Sequence, residues 1–523
     1  MMADTGYSAA DIERVEPIIG MEIHVELATR SKMFTRAPNP AHPEFDGAAP
    51  NTLIDPVVLA LPGALPVMNR AAIETAIMVG LALGCEIAPV SRWDRKSYFY
   101  PDLPKAYQIS QYDLPLCFDG RADVPAVDEQ GRFDLTRPSR TVGILRAHLE
   151  EDAGKLLHEA PGGGAIAGSI VDLNRAGAPL LEIVTQPDFT SAEQCVAFAK
   201  LLRGTCRFLG ASEGVMQKGH MRFEPNINCR IVLRDGRAAT TPIVEVKNLN
   251  SFRSLSDAIE YELRAQPQRW LEDGLEMGPG AKSTRGWDAD RAATTLQREK
   301  EDAHDYRYFP DPDLVPVRVD REWVARLRES LPELPLARMR RYVEALALSS
   351  SEAAALVEER DLCMLYDSIV DTLAGEGLGR PAVARHAANL LLQSGQKRAN
   401  ERGVAVTGLG FTPEQARAIV RLREEGAISA AAMDELLGAC CEDSAADPAA
   451  LAAARGLLVV RDAGQLGAWC DEVIAAHPEA AAQVRAGKVQ AAGKLIGAVM
   501  QKSGGSADAK AVRDMLLAKL GHA

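Results

Sequence analysis

The sequence changes character near Val317, and this change limits the folds that the chain can adopt more than any other feature. Before this residue, short runs rich in valine and isoleucine alternate with stretches of helical periodicity. After it, alanine, leucine, glutamate and arginine dominate, and β-branched runs almost disappear. Interleaved strands and helices predict an α/β or α+β core for the first part, and the later part predicts helices packed on helices.

Local signals predict individual elements in the first part. Strands are expected where β-branched residues cluster, at 18–25, 183–185, 227–233 and 243–246. A helix over 69–84 has Asn69 as its N-cap. A second helix over 191–210 begins with the capping-box spacing of Ser191 and Gln194.

The same kind of signal divides the chain into domains. A polar and basic stretch over 394–410 is expected to be a linker, and Thr412 followed by Pro413 is typical of a new helix start. The expected domains are a catalytic domain over 1–315, a helical domain over 316–405 and a helical tail domain over 406–523. Residues 483–523 carry seven Lys or Arg and two Asp, a local charge of +5 in a chain of net charge −13.

Composition excludes several classes of protein. With a net charge of −13 the chain is not a broadly basic nucleic-acid coat, so an RNA partner must meet a local basic face. The nine cysteines are scattered without a C-x-x-C pair, which is typical of reduced thiols in a cytoplasmic protein. We expect no signal peptide, transit peptide or membrane span, because the N-terminus is polar and no run of 18 apolar residues occurs.

Alternating polar residues indicate a candidate site on strands. Glu22, His24 and Glu26 would share one strand face, either as a metal-binding wall or as charges in water. Polar residues also alternate along one face at Arg222, Glu224, Asn226 and Asn228, as in a site built on a sheet. The first set offers the carboxylate and imidazole ligands that a divalent cation needs if it is to hold nucleotide phosphates.

Further charged strings allow two interpretations each. Glu150 belongs to H-L-E-E-D, whose adjacent carboxylates repel one another unless a cation compensates them, and Lys155 follows within reach of a phosphate. Glu182 follows two leucines, where a carboxylate needs a partner if it is buried. The alternatives are a solvated acidic turn and an exposed edge strand.

The second half of the mixed region adds a lysine and an aromatic string. Lys247 shares a predicted strand face with Glu245 and precedes Asn248, so it either neutralises phosphate oxygens or forms a structural ion pair. Residues 301–310, E-D-A-H-D-Y-R-Y-F-P, form either a lid over a site or a surface loop. Residues 487–494 are one residue too long for a Walker A loop and lack its Ser or Thr, so a P-loop is not supported.

Seven strings occur together and in a fixed order. They are G-M-E-I-H-V-E-L, A-L-P-G-A-L-P-V-M-N, R-K-S-Y-F-Y-P-D-L-P-K, H-L-E-E-D-A-G-K, E-V-K-N-L-N-S-F-R, D-A-H-D-Y-R-Y-F-P-D-P-D-L and G-K-V-Q-A-A-G-K-L-I-G-A-V-M. Taken together they resemble the B subunit of the aspartyl/glutamyl-tRNA amidotransferase family, essentially from end to end.

The resemblance implies an activity. The B subunit of that family uses ATP to phosphorylate the side-chain carboxylate of Glu on mischarged tRNA-Gln, or of Asp on mischarged tRNA-Asn. Ammonia made by a partner amidase (A) subunit then displaces phosphate, and a small C subunit completes a heterotrimer. The implied fold is α+β, with an antiparallel-sheet catalytic domain of the glutamine synthetase and guanido kinase type, followed by all-α helical and tRNA-binding tail domains.

The resemblance also implies residue roles. The family's metal ligands, expected to hold Mg²⁺ with the ATP, correspond to His24, Glu150 and Glu182, and Glu22 lines the same site. Candidates for catalysis are Glu22, Arg222 and Lys247, and candidates for binding the cofactor phosphates are Arg222, Lys247, Asn248 and Lys155. Candidate pocket residues are Tyr98, Tyr100 and Lys105.

Two departures from the family pattern bear on metals. Many relatives carry four cysteines at the positions of Thr35, Ala37, Asp55 and Val58, so a structural zinc is not expected here. Relatives often have Cys-Asp where this chain has Phe-Glu at 223–224, which leaves a ligand role for Glu224 open.

Two rival interpretations stay open from the sequence, and a third is not supported. The chain could be a glutamine-synthetase-like ligase acting on a free amino acid, or a non-enzymatic tRNA-binding scaffold. The related archaeal E subunit carries a large inserted domain, for which this chain has no room. The sequence does not decide whether Glu-tRNA, Asp-tRNA or both are substrates.

Overall fold

The computed structural model describes residues 5–159, 163–299 and 306–521. It divides into two compact units, Met1–Arg338 and Met339–Ala523. The strands are β1 (Ile12–Glu26), β2 (Glu86–Ile87), β3 (Val90–Ser91), β4 (Asp94–Ser97), β5 (Tyr107–Ser110), β6 (Cys117–Val124), β7 (Ala126–Val127), β8 (Phe133–Asp134), β9 (Arg140–Glu151), β10 (Lys155–Glu159), β11 (Ala165–Asp172), β12 (Pro179–Thr185), β13 (Met221–Leu233), β14 (Ala238–Thr240), β15 (Val244–Lys247), β16 (Ser283–Asp288), β17 (Ala293–Glu299), β18 (Phe309–Pro310) and β19 (Val317–Arg318). Each of the four predicted strands lies wholly or almost wholly within one of these, which confirms them.

The helices follow the predicted change of character. They are α1 (Arg70–Ala82), α2 (Ala192–Phe208), α3 (Phe252–Asp273), α4 (Arg321–Glu329), α5 (Pro335–Leu346), α6 (Ser350–Glu358), α7 (Arg360–Gly375), α8 (Arg380–Asn389), α9 (Gln396–Arg402), α10 (Pro413–Glu424), α11 (Ala430–Cys440), α12 (Pro448–Ala454), α13 (Ala463–Ala476), α14 (Pro478–Arg485), α15 (Ala492–Lys502) and α16 (Ala509–Lys519). The mixed first part and the helical later part are therefore confirmed. No helix among the described residues is both long and apolar enough to cross a membrane.

One large sheet organises the first unit. Its strand order is β17-β16-β15-β13-β1-β12-β9-β6-β2, with β14 paired to β13 at the side. The pairings are antiparallel except that between β15 and β16. Strand β1 is central, and its long partner β13 runs antiparallel beside it along most of its length.

The two faces of this sheet differ because side chains alternate along each strand. Ile23 faces the core and is fully buried, and its neighbours across the sheet, Ile183 and Phe223, are buried with it. Helices α1, α2 and α3 cover this face and share its hydrophobic core. Burying one such side chain stabilises the fold by about 1.5–3 kcal/mol, so the register that points Ile23 inward also fixes Glu22 and His24 on the opposite face.

Cap residues set the helix ends that position this core. The Asn69 side chain accepts hydrogen bonds from the first-turn backbone of α1, which confirms the predicted start. Ser191 caps α2 as predicted, by accepting from Gln194 N. The capping-box detail was wrong, because the Gln194 side chain accepts from Thr190 N at 3.0 Å, one residue before the cap.

The later unit is helical with a core of its own. The predicted start at Thr412 is confirmed by a complete capping box with Gln415. The segment over 394–410, expected to be a linker, is helical as far as Arg402, with a π-helical stretch at Leu390–Gly395. The last part forms a separate hydrophobic cluster built from α13 to α16, with Leu466, Val484, Leu495 and Leu516 buried.

Candidate functional site

The polar face of the large sheet brings together the charged residues that the sequence singles out. His24 on β1 lies opposite Glu182 on β12 and opposite Arg222 on β13. Glu182 in turn lies opposite His148 on β9. Residues opposite one another in an antiparallel pair share a face, so this row crosses four neighbouring strands.

One group of side chains on this face is a candidate metal site. Ligand atoms of His24, Glu150 and Glu182 all lie within 4.8 Å of one another. His24 Nε2 is 3.5 Å from Glu182 Oε2 and 3.8 Å from Glu22 Oε1. We call His24, Glu150, Glu182, Glu22 and His148 the metal-side cluster.

A second group shares the same histidine on its other side. Glu22, His24 and Glu224 also place ligand atoms within 4.8 Å of one another, and His24 Nδ1 is 3.8 Å from Glu224 Oε1. Lys247 Nζ lies 2.5 Å from Glu224 Oε2 and 3.4 Å from Glu245 Oε1. The ion pair that was the alternative for Lys247 is thus present, beside the candidate site.

The metal-side cluster has more negative charge than its own cations balance. Burial lowers the pKa of His24, but the hydrogen bond to Glu182 and the charges of Glu224 and Glu182 outweigh it and raise this pKa to about 9. Burial and the neighbouring charge of Glu182 raise the pKa of Glu22. His24 Nδ1 is buried without a hydrogen-bond partner. A carboxylate set of this kind favours any cation that can enter it.

A small sheet formed by β18, β4 and β5 holds Glu150 in place. Ser110 Oγ donates to Glu150 Oε1 at 2.6 Å, and Gln108 Nε2 donates to Glu150 Oε2 at 2.9 Å. His148 Nε2 lies 3.3 Å from Glu150 Oε1. The carboxylate is therefore oriented by two strands, β5 and its own β9.

Lys96 is a site residue that sequence reasoning missed. Burial alone would raise the pKa of Glu150, but the charge of Lys96 and the hydrogen bond from His148 lower it. In the same way burial lowers the pKa of Lys96, and the charges of Glu150 and of Tyr308 outweigh this and raise it. A signal was available, because Lys96 stands in the R-K-S-Y-F-Y string.

Aromatic side chains surround this lysine. Lys96 Nζ lies 5.1 Å from the centre of the Tyr306 ring, which meets Tyr98 edge-on at 6.2 Å. Tyr308 stacks on Tyr112 with ring centres 4.1 Å apart. The second half of the predicted lid or loop thus lies against the site, whereas residues 301–305, including His304, lie outside the described residues.

A second buried cluster, which we call the arginine-side cluster, lies beside the first. It consists of Glu26, Asp152, Arg175 and Arg222. Arg222 Nη2 is 3.0 Å from Asp152 Oδ2, and Arg175 Nε is 3.6 Å from the same oxygen. Burial and the charge of Asp152 raise the pKa of Glu26 to about 8. Burial opposes ionisation of Asp152 too, but Arg222 and Arg175 outweigh it and lower its pKa.

The remaining predicted residues occupy other positions. Asn248 has a left-handed backbone with φ of 67°, which asparagine tolerates, and its amide donates to Trp287 O at 3.2 Å. Lys155 is exposed at the start of the hairpin formed by β10 and β11. Lys105 forms an ion pair with Glu151, next to Glu150. Their roles in binding nucleotide or substrate stay predictions.

The four positions that replace the family's cysteines form a hydrogen-bonded loop. Thr35 Oγ1 donates to Asp55 Oδ2, and Val58 N donates to Asp55 Oδ1 at 2.9 Å. Ala37 N donates to Thr35 Oγ1 at 3.2 Å. Each of these polar atoms is used by a neighbour, so the loop is held by hydrogen bonds rather than by a set of soft metal ligands.

The metal-side cluster fits a hard divalent cation by the chemistry of its donors. Carboxylate oxygens and one imidazole nitrogen converge, and they are oriented from behind by Ser110, Gln108 and His148. Such outer partners are typical of metal sites, since they fix the direction of the ligands. The arginine-side cluster lacks this property, because guanidinium groups already occupy its carboxylates.

Comparison with known proteins identifies the family of this chain. The family described as "GatB/GatE catalytic domain" matches residues 17–325, and that described as "GatB domain" matches residues 376–520. The chain is 44% identical over 501 residues to the aspartyl/glutamyl-tRNA(Asn/Gln) amidotransferase B subunit of Thermomicrobium roseum, covering 96% of this chain and 98% of that protein. The corresponding B subunits of Burkholderia ambifaria and Paraburkholderia phytofirmans are each 42% identical, with 97% of this chain and 99% of theirs covered. The chain therefore belongs to the family of aspartyl/glutamyl-tRNA(Asn/Gln) amidotransferase B subunits.

Proposed function

We propose that this chain activates the side-chain carboxylate of Glu on mischarged tRNA-Gln, of Asp on mischarged tRNA-Asn, or of both, by transfer of the γ-phosphoryl group of ATP. It does so as the B subunit of a carbon–nitrogen ligase that uses glutamine as amido donor. The observation that carries this proposal is the convergence of His24, Glu150 and Glu182 on one buried sheet face, in a chain of this family.

The metal-side cluster would hold Mg²⁺ with the nucleotide. A bound Mg²⁺ supplies positive charge that neutralises phosphate oxygens during phosphoryl transfer. His24, Glu150 and Glu182 are the proposed ligands, and Glu22 completes the wall of the site at 3.8 Å from His24. Ser110 and Gln108 keep Glu150 aimed at the site, so little reorganisation is needed when the cation and nucleotide arrive.

Cationic side chains on the flanking strands orient the phosphates. Lys247 stays protonated, because the charges of Glu224 and Glu245 outweigh its burial and raise its pKa. Arg222 stays charged for the same reason beside Asp152. Both cations are held in ion pairs, so a phosphate has to share them with the carboxylates. We propose Lys247, Asn248, Arg222 and Lys155 as contacts to ATP or to the acyl phosphate.

The amidation step needs ammonia from outside this chain. The nine cysteines are buried, and burial raises the pKa of a thiol such as Cys195, so no cysteine is an exposed nucleophile for glutamine hydrolysis. We propose that an amidase (A) subunit supplies the ammonia and that a small C subunit completes a cytoplasmic heterotrimer. The antiparallel-dominated sheet with carboxylates on one face supports a relation to the glutamine synthetase and guanido kinase fold.

The helical tail is proposed to bind the tRNA. The exposed basic residues of 483–521 lie on and between α14, α15 and α16, and they include Lys488, Lys494, Lys510 and Arg513. The segment 483–523 has a local charge of +5, which would attract phosphates to a protein whose net charge is −13.

No structural zinc is expected in the loop over 35–58, because the Thr35 hydroxyl donates a hydrogen bond to the Asp55 carboxylate.

The test is amidation of each mischarged tRNA by the reconstituted complex with ATP, Mg²⁺ and glutamine. We expect ATP-dependent formation of Gln-tRNA-Gln, Asn-tRNA-Asn or both, and no product from free Glu or Asp. Turnover of the free amino acids would favour a glutamine-synthetase-like ligase. Binding of tRNA without ATP hydrolysis would indicate a scaffold and contradict the proposal.

A further inference from the structure

Two neighbouring aromatic side chains stand in solvent at the tip of the hairpin formed by β4 and β5. Phe99 is 85% exposed and Tyr100 is 59% exposed. A single exposed apolar side chain is ordinary on a protein surface. Two adjacent rings at the edge of a catalytic site need a reason, because each forgoes the free energy of burial.

The backbone of this tip is fixed relative to the metal-side cluster. Gly154 N donates to Asp102 O at 2.8 Å, and Tyr98 N donates to Ala106 O at 3.2 Å. Lys105 forms an ion pair with Glu151, the neighbour of Glu150. A Cβ on Gly154 would lie 3.0 Å from Asp102 O, so the glycine permits this close approach.

The chain passes from inside the site to outside it within a few residues. Lys96 lies opposite Gln108, which donates to Glu150, so its side chain shares the face of the site. Tyr98 meets Tyr306, the ring that also lies against Lys96. Phe99 and Tyr100 follow directly and are exposed. Four residues of extended chain span at most about 14 Å, so both rings stand at the lip of the site.

We propose that Phe99 and Tyr100 form a stacking platform for the 3′-terminal nucleotide of the mischarged tRNA. This inference rests on the proposed function. The carboxylate to be activated belongs to an amino acid esterified to the terminal ribose, so the terminal base must lie beside the site when that carboxylate lies in it. Single-stranded RNA ends are commonly recognised by stacking of bases on exposed aromatic rings.

The position of the tip favours the end of the tRNA over a docked protein chain, because that end must reach the carboxylate site. Both exposed side chains are aromatic and offer π-faces to a base. The exposed aliphatic side chains of the same unit, such as Leu65 and Val67, are at 62% and 73% and belong to a different loop. Val67 therefore serves as a matched control, equally exposed but without a ring.

The test uses the complete amidotransferase with Phe99→Leu, Tyr100→Leu and the double variant, and with Val67→Ser as control. Amidation of mischarged tRNA is measured with glutamine and, separately, with ammonium chloride as nitrogen source. We expect KM for the tRNA to rise by about 5- to 100-fold for the loss of a stacked ring, equally with both nitrogen sources, while KM for ATP stays constant. Tyr100→Phe keeps the ring and should retain KM near that of the wild type.

Three results would overturn the inference. An unchanged KM for tRNA in the double variant is the first, and a comparable rise in the Val67→Ser variant is the second. The third is a loss of glutamine-driven amidation with intact ammonia-driven amidation, which would identify the tip as a docking site for the amidase. Thermal unfolding of each variant and its KM for ATP separate these results from misfolding. Failure of the wild type to amidate tests the proposed function instead.

Discussion

The metal-side cluster and the arginine-side cluster lie side by side on one sheet face, yet they balance charge in opposite ways. In the arginine-side cluster, Arg222 contacts Asp152 at 3.0 Å, and the charges compensate one another within the chain. In the metal-side cluster, His24 takes up a proton readily, with its pKa raised to about 9, because acidic neighbours surround it. This contrast supports the proposal that the metal-side cluster receives a cation, whereas the arginine-side cluster is balanced by its two guanidinium groups, of which that of Arg222 is also a proposed phosphate contact.

Removing one ligand should produce the largest effect on activity. Glu150→Gln keeps the shape of the side chain but removes its charge, and we expect amidation to fall by a factor of about 10²–10³. Binding of tRNA should persist, because no tail residue is changed. Steady-state amidation and tRNA binding check this, with Glu16→Gln, a half-buried carboxylate on the same sheet, as control. Near-wild-type activity of Glu150→Gln would remove the distinction between the two clusters.

The corresponding change in the arginine-side cluster should affect stability. Arg222→Met leaves Glu26 and Asp152 buried without their main partner, and we expect the free energy of unfolding to fall by about 3 kcal/mol. This is the lower end for a broken buried ion pair, since Arg175 stays 3.6 Å from Asp152. Denaturant unfolding measures the loss. An unchanged stability would show that the guanidinium group is not what balances this cluster.

Lys32 is a further buried charge, and it tests the case in which the neighbouring carboxylates are more distant. It is fully buried and hydrogen-bonded to Leu173 O at 3.4 Å, and burial outweighs the more distant charges of Asp55 and Asp172, lowering its pKa to about 8. The unfolded chain keeps this proton up to its ordinary pKa of about 10.5. Between these two values the unfolded state binds more protons, so this residue makes stability rise with pH.

We expect this rise to reach roughly 2–3 kcal/mol between pH 8 and 10.5, measured as the difference between wild type and Lys32→Met in unfolding experiments. Taking the difference removes the contributions of tyrosines and cysteines that titrate in the same range. Parallel pH profiles for the two proteins would mean that Lys32 keeps an ordinary pKa.

The tail offers a change that should leave both clusters intact. A cut near Gly410, at the end of the segment expected to be a linker, would separate α10 from α7 and α8, which it packs against. A chain that ends at Arg461 removes only the helices that share the last hydrophobic cluster. We expect weaker tRNA binding, with a salt dependence reduced by about one unit of slope for each lost phosphate contact. Equal affinity and slope in the full-length and shortened proteins would show that the tail does not bind RNA.

Chelation should have the smallest effect. Because Asp55 accepts hydrogen bonds from Thr35 and Val58, the loop over 35–58 should keep its stability when zinc is removed. We expect no stoichiometric zinc by elemental analysis and no change in the melting temperature with a zinc chelator in the presence of excess Mg²⁺. One tightly held zinc per chain would contradict this, and would mean that buried cysteines such as Cys85 or Cys117 serve as ligands.

The sequence predicts those parts of the site that depend on neighbouring residues, but not those that depend on contacts between distant strands. Alternation placed Glu22 and His24 on one face, because the period of two residues is local to a strand. The partners of Glu150 could not be predicted, since Ser110 and Gln108 come from a separate small sheet and lie 40 and 42 residues away in sequence. Pairings of that kind depend on register between strands, which no local pattern encodes.

The loop over 35–58, which lacks the family's cysteines, also shows how little of the burial of single residues a local pattern predicts. The hydrophobicity of Val57, Val58 and Leu59 predicts burial of all three, but only Val58 is buried, while its two neighbours are half-buried. Hydrophobicity alone predicted the burial, whereas the hydrogen bonds of Asp55 decide which residue of the three points inward.

His24 lies between the carboxylates of Glu182 and Glu224, and each of its ring nitrogens is nearest to a different one of them. A neutral imidazole has one lone pair for a ligand and one N–H to donate. Nε2 faces Glu182 at 3.5 Å, and Nδ1 faces Glu224 at 3.8 Å, which is too long for a hydrogen bond. If Nε2 held a cation, the ring proton would lie on Nδ1, on the β13 side of β1. The tautomer of a single ring therefore selects between the β12 side and the β13 side of the sheet.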